Sequence, residues 1–336
     1  MSETSTTHET SPPTVTVVIP MRNEAATIGG CVASILASQL PVGTTLEVLV
    51  LDGASTDTSP ATVRELSARD PRVQLIPNPE RLQAAAFNRG IALARGQYVV
   101  RVDAHSLYAD DYVAESIRLL EETGAENVGG VQRATGTNWV GRAIAAAVSS
   151  RFAAGDAKYR HASEPTFTDT VYLGAWRTAT LRKLGGMRTD WAVNEDYEMN
   201  VRLRAAGGTI YLSPTIRSTY FVRGSLGALA RQYVRYGFWK VRTLIEHPGS
   251  LRWRQVVAPA FVLSLLLTPL FVHWLGWFGT SHIALYVVAN LAASVITARK
   301  QGMTLLLVLP IVFAIIHCSW GGGFLTGLIY WPFRQR

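Results

Sequence analysis

The chain has 336 residues, 48% of them hydrophobic and 17% charged, with a formal net charge of +8. Charged residues make up about 25% of ordinary soluble domains, so this composition excludes a disordered chain and is unusual for a purely soluble one. No Asp or Glu follows Glu246, and the positive excess falls on Arg252, Arg254, Arg299, Lys300, Arg334 and Arg336. A nucleic-acid binder carries its basic stripe on a folded domain; here the charge flanks apolar sequence, where anionic headgroups attract it, so membrane lipids rather than nucleic acid are the expected partner.

Residues 1–13 are polar and lack an apolar signal core, and they read as a flexible tail. TVTVVIP (residues 14–20) is a β-branched run, predicted as a buried strand, and residues 25–38 have helical spacing. LEVLVLD (46–52) predicts a second buried strand and 60–69 a helix. A short strand at 73–76, a helix at 83–95, the strand YVVRVD (98–103) and a helix near 111–123 follow. Alternating strand and helix predict an α/β domain over residues 14–224, a mostly parallel sheet with helices on both faces. Ligands of such sheets bind at the carboxyl ends of the strands. Residues 151–168 lack a clean period and read as a long loop, a common form for lids and binding loops. Residues 196–206 predict a helix. Residues 225–246, with Tyr233, Tyr236, Phe238 and Trp239 among Arg231, Arg235, Lys240 and Arg242, predict a basic helix on the membrane surface within a 225–254 segment.

From 255 to 298 there is no charged residue, enough for two spans of about 20 residues each. The expected membrane region covers 255–333, with spans near 256–278, 282–298 and 303–320. Basic pairs at Arg252/Arg254 and Arg299/Lys300 place both ends of a hairpin in the cytoplasm. For the rest, two topologies compete. Gly321, Gly322 and Gly323 turn a re-entrant hairpin over 321–333 and leave the C-terminus inside, or a single third span leaves it outside. Cys31 and Cys318 have no metal or redox spacing, which fits a reducing compartment. The expected location is a multi-pass protein of the inner (cytoplasmic) membrane with its α/β domain facing the cytoplasm.

Several short motifs carry chemistry. Asp103-Ala104-His105 ends a strand, where positions i and i+2 point the same way; the pair serves as metal ligands or an acid–base pair, or else Asp103 caps a turn beside a surface His105. Asp52-Gly53-Ala54-Ser55-Thr56-Asp57 can hold a base or ribose, or is an ordinary Asp-Gly turn. Glu195 and Asp196 open a helix, as a general base with its neighbour or as acids favoured by the helix dipole. Gln232 and Arg235 share a helix face, with Arg235 and Tyr236 facing a diphosphate or lipid.

Taken in order, these motifs resemble the family 2 inverting glycosyltransferases of GT-A fold, over residues 15–236. The resemblance rests on VVIPMRNE (17–24), LDGASTD (51–57), AAFNRGIALARG (85–96), VDAH (102–105) and GGMRTDWAVNEDYEMNVRLRAAGG (185–208). Within the family the chain is most similar to membrane-attached succinoglycan-type glucosyltransferases. The resemblance implies that Pro20, Asn23, Glu24, Asp52, Ser55 and Asn88 line the nucleotide pocket, that Asp103 touches the nucleotide sugar, and that Mn²⁺ or Mg²⁺ is held by Asp103 and His105. It implies Asp196 as catalytic base beside Glu195, with Arg235 and Tyr236 near the donor. Tyr236 stands where processive synthases carry Trp. The implied activity is inverting transfer of a hexose, from a UDP-hexose, to a hydroxyl of a polyprenyl-linked glycan in cell-surface or exopolysaccharide synthesis. Two rivals stand: a synthase acting on polyprenyl phosphate itself, and an inactive membrane scaffold.

Overall fold

The computed structural model describes residues 14–334. The tail expected over 1–13, and Arg336, lie outside the described residues. In chain order come β1 (Val15–Met21), α1 (Ile28–Leu36), β2 (Leu46–Asp52), α2 (Ser59–Arg69), β3 (Val73–Pro77), α3 (Gln83–Leu93), β4 (Tyr98–Arg101), β5 (Ser106–Tyr108) and α4 (Tyr112–Thr123). Next are β6 (Asn127–Thr135), α5 (Trp139–Val148), α6 (Arg151–Ala154), α7 (Lys158–His161), β7 (Thr166–Phe167), β8 (Tyr172–Arg177), α8 (Thr178–Leu184), α9 (Glu195–Ala205) and β9 (Ile210–Phe221). The C-terminal part is α10 (Leu226–Glu246), α11 (Arg254–Leu266), α12 (Thr268–Leu275), α13 (Ser281–Gln301) and α14 (Leu309–Tyr330).

The strands form one sheet in the order β3-β2-β1-β4-β8-β6-β9-β5, with β7 also paired to β9. The first four are parallel neighbours. Beyond β4 the sheet is mixed: β8 is antiparallel to β4 and β6, while β9 runs parallel to β6. Because β1 is buried on both faces, its β-branched residues divide between two cores. Val15, Val17 and Ile19 pack with α1, α2 and α4, and Val18 packs with Phe87 of α3, Leu181 of α8 and Met199 of α9. The parallel register brings the carboxyl ends of β1, β2 and β4 to one edge, so the loops that follow them meet.

Three expectations change. Residues 151–168 are not a featureless loop: Ser150 accepts from the Phe152 N–H and caps α6, and β7 pairs with β9. Residues 256–278 are not one unbroken helix. Pro269 starts a new helix, α12, after a break at Leu267, and Gly276, at φ +58°, ends it. The turn Gly276–Thr280 then folds back so closely that a Cβ on Gly279 would lie 2.4 Å from the Phe271 carbonyl carbon. Two stretches, Thr268–Gln301 and Leu309–Phe333, are long and apolar enough to cross a membrane by length and composition; the unbroken part of the first is the 21 residues of α13, about 31 Å at the rise of an α-helix.

The third change concerns Gly321–Gly323, expected to turn a re-entrant hairpin. The helix α14 runs straight through them. A Cβ on Gly321 would lie 2.5 Å from the Ala258 carbonyl oxygen of α11, and one on Gly323 would lie 2.1 Å from that of Val234 in α10. The glycines let two backbones touch, as small residues do between apolar helices. The helix α10, capped by Ser225, thus packs along α14.

Candidate active site

The loops after β1 and β2 are laced together by side chains. Asn23 sits at φ +56°, a left-handed conformation Asn tolerates better than most residues. Its N–H donates to Ser55 Oγ at 2.9 Å, and its Oδ1 accepts from the Thr56 N–H at 2.8 Å. The Glu24 N–H donates to Ser59 Oγ at 2.8 Å and the Ala25 N–H to Asp57 Oδ2 at 3.1 Å. Hydrogen bonds from Ser59 and Ala25 hold the Asp57 carboxyl below its ordinary pKa. Asp52 Oδ1 accepts from the Ser55 N–H at 3.1 Å. Pro20 is the β1 partner of Leu51, so Pro20, Asn23, Asp52 and Ser55 share one corner of the sheet edge.

Past Arg101, the last residue of β4, the chain turns through Asp103–His105, with the Ser106 N–H donating to the Asp103 carbonyl at 3.1 Å. Arg101 is buried, with Nη2 3.7 Å from Asp103 Oδ1 and 4.0 Å from Glu195 Oε1. The strand-end acid and the helix-start acid, 92 positions apart in the sequence, therefore share one guanidinium. Burial lowers the Arg101 pKa, but Asp103, Asp196 and Glu195 outweigh it and hold the group charged. Tyr172 reaches Asp103 Oδ2 at 3.4 Å, and the Asp103 N–H donates to Tyr108 Oη at 2.7 Å. His105 Nδ1 lies 3.3 Å from Glu24 Oε1. Burial pulls the imidazole pKa down, yet the carboxylates of Glu24 and Asp103 prevail and raise it above the ordinary value.

Asn194, at φ +65°, turns the chain into α9, and Glu195 and Asp196 form its first turn. Glu195 is buried, and burial together with the adjacent Asp196 pushes its pKa up to about 7, against the pull of Arg101. Asp196 is half-buried. Among the described residues no three His, Cys, Asp or Glu side chains gather closely enough to hold a metal ion. Asp103 and His105, both partly exposed, still suit an ion that takes one or two protein donors and fills its other positions with phosphate oxygens and water.

The predicted site residues separate into three groups. Asp103, Glu195 and Asp196 gather at Arg101, and His105 pairs with Glu24 beside Asp103; Pro20, Asn23, Asp52 and Ser55 form the corner described above, and the remaining three stand apart. Asn88 is engaged elsewhere: its Nδ2 donates to the Met187 carbonyl at 2.6 Å and its Oδ1 accepts from the Met187 N–H at 2.7 Å. It holds the chain that leads to Asn194, so both ends of its amide are spent on backbone. Arg235 is exposed, with Nη2 3.4 Å from the Ala192 carbonyl. Tyr236 takes a 2.7 Å hydrogen bond from Gln232 and lies in a cavity with Tyr220, whose ring meets His105 edge-on at 5.4 Å. Arg101 and Tyr172 escape the sequence reading. The signal for Arg101 was present, a charged residue inside a β-branched strand run; Tyr172 has none.

Residues 16–174 match the profile of Glycosyl transferase family 2, and residues 98–325 match that of Glycosyl transferase family group 2. The chain is 29% identical to the succinoglycan biosynthesis protein ExoA of Rhizobium meliloti (strain 1021), over 95% of this chain and 96% of that protein. It is 26% identical, over 94% of this chain and 97% of the relative, to the dolichyl N-acetyl-alpha-D-glucosaminyl phosphate 3-beta-D-2,3-diacetamido-2,3-dideoxy-beta-D-glucuronosyltransferase of Methanococcus voltae. Among solved structures, a mannosyltransferase from Pyrobaculum calidifontis, in complex with GDP-Man and Mn²⁺, superposes with a TM-score of 0.59 at 21% identity, covering 95% of this chain and 88% of that one. The likeness gives the GT-A type of fold. With its profile match spanning most of the sequence, from β4 into α14, the chain belongs to the family 2 glycosyl transferases.

Proposed function

We propose that the protein transfers a hexose from a nucleoside diphosphate sugar, a UDP-hexose, to a hydroxyl of a lipid-linked glycan, inverting the anomeric carbon. The observation that carries this reading is the single guanidinium of Arg101 within ion-pair reach of both Asp103 and Glu195. It draws a strand-end acid and a helix-start acid to the same edge as the Asn23–Ser55 corner. Two full-length relatives named for glycan synthesis support a glycan product.

In the proposed reaction Asp196 takes the proton of the acceptor hydroxyl as that oxygen forms a bond to the anomeric carbon. The bond from that carbon to the diphosphate oxygen breaks on the opposite face, and the nucleoside diphosphate leaves with the electron pair. One displacement turns an α-linked donor into a β-linked product. Base catalysis of this kind contributes about 10²–10⁴-fold. The nucleotide binds at Pro20, Asn23, Glu24, Asp52 and Ser55. Asp103 and His105 would hold a divalent ion, Mn²⁺ or Mg²⁺, which would neutralise diphosphate charge. Glu24 orients His105 through Nδ1. Arg101, within reach of both Asp103 and Glu195, ties the end of β4 to the start of α9. The apolar stretches Thr268–Gln301 and Leu309–Phe333 anchor the catalytic sheet at the cytoplasmic face of the membrane.

The test is full-length protein in its membrane, given a panel of nucleotide sugars with and without Mn²⁺ and a polyprenyl-lipid extract. One nucleotide sugar should release its nucleoside diphosphate only when lipid is present, with the sugar appearing on a diphosphate-linked glycan. A new sugar attached directly to a single phosphate would contradict hydroxyl transfer and favour a polyprenyl-phosphate synthase. No release with any sugar would contradict an enzyme.

A further inference from the structure

Beside Tyr220, whose ring meets His105, lies a small half-enclosed cavity between β6, β9, α7 and α10. Its polar lining is Gln132, Arg160, Tyr220, Gln232, Tyr233 and Tyr236, with no carboxylate among its lining residues. Arg160 comes from the 151–168 segment whose irregular sequence marked it as a binding loop. Arg254, on the adjoining helix α11, has carboxylate partners in Asp156 and Asp169; among the described residues Arg160 has none. The ionisable groups around Arg160 are instead the tyrosines 159, 233 and 236. A half-buried guanidinium with no counter-charge is poorly compensated.

The other polar groups also favour an anion. Tyr236 Oη already accepts from Gln232 Nε2 at 2.7 Å, so its own proton is left to donate. The cavity measures about 30 Å³, room for about two water-sized groups. That takes two oxygens of a phosphate whose remainder stays at the open mouth, and it is too small for a sugar ring. Its apolar wall belongs to the helical bundle: Ile144, Val148 and Leu229 share one core cluster with Leu309, Val312 and Phe313 of α14. A phosphate seated there lies where catalytic sheet meets apolar helix, the level of a lipid headgroup, whereas a phosphate of the soluble donor would sit by the Asn23–Ser55 corner.

We infer that this cavity seats the phosphate of the lipid-linked acceptor, with Arg160 as its counter-charge and the hydroxyls of Tyr233 and Tyr236 as donors. This rests on the lipid-linked acceptor proposed above. The phosphate anchors the acceptor, and the glycan reaches the acids past Tyr220, whose ring touches both His105 at 5.4 Å and Tyr172 at 5.9 Å.

The test is equilibrium binding to full-length protein in nanodiscs of neutral lipid, with farnesyl diphosphate, farnesol, inorganic phosphate and, separately, UDP with Mg²⁺ as probes. Wild type should bind farnesyl diphosphate about tenfold or more tightly than farnesol, the range of a charge-assisted contact. Arg160→Met should erase that preference, Tyr233→Phe should weaken it, and Arg160→Lys should keep part of it. UDP binding should stay unchanged in all three, which also shows that they fold. Equal binding of farnesol and farnesyl diphosphate by wild type, or a preference that survives Arg160→Met, would overturn the inference. Inorganic phosphate competing as well as farnesyl diphosphate would overturn the lipid origin of the anion. A wild type that prefers farnesyl diphosphate yet fails to bind UDP would count against the donor reading and leave this inference standing.

Discussion

Arg101 and Glu195 decide how many negative charges the site carries. Glu195 keeps its proton to about pH 7 because burial, and then the charge of Asp196, oppose ionisation more than Arg101 favours it. The consequence for stability has a definite sign. Between the ordinary glutamate value of 4.5 and about 7, the folded chain holds a proton that the unfolded chain has lost. Stability therefore falls as pH rises through that window and levels off above it. Glu195→Gln removes the titrating group, so unfolding midpoints of the variant should be flatter between pH 5 and pH 8. The wild type should lose on the order of 1–3 kcal/mol relative to the variant over that range; parallel curves would contradict a buried, raised carboxyl. At this scale the sequence was only partly readable. The i, i+2 spacing of Asp103 and His105 shows in the sequence, but Arg101 means nothing until Glu195 arrives from 94 positions away. Asn88 misleads for the same reason, because its two partners are both backbone atoms of Met187.

The elements were most legible where local pattern and burial agree. The run at Leu46–Asp52 is apolar, β-branched and closed by Asp-Gly, and the strand keeps those bounds. The strands β6, β8 and β9 have mixed exposure and distant partners, and no local signal marks them. Glycine run 321–323 reads as a turn in one dimension, yet within an apolar helix it makes a seam. The seam gives a paired prediction. Gly323→Ala forces a Cβ to 2.1 Å from the Val234 carbonyl oxygen, whereas Gly322 has open space around it. Gly323→Ala should destabilise by about 1–3 kcal/mol. It should also slow transfer, because α10 carries Gln232 and Tyr236 beside the site. Gly322→Ala should be neutral or stabilising by up to about 1 kcal/mol. Thermal unfolding in detergent and a transfer assay read both variants, and equal effects at the two positions would contradict the packing of α10 on α14.

Across the whole molecule, the catalytic sheet and the apolar helices are one packed unit. Core clusters join α5 to α13 and α14, and α10 to α14. The charge distribution in the sequence fits this arrangement, with acids confined to the part that carries chemistry and only basic residues after Glu246. In the proposed reaction the proton acceptor is Asp196, in the first turn of α9. Single-turnover transfer by Asp196→Asn, with donor binding measured on the same preparation, tests that assignment most directly. Transfer should fall about 10²–10⁴-fold while the donor Kd stays within about twofold of wild type; transfer at near wild-type rate would contradict it.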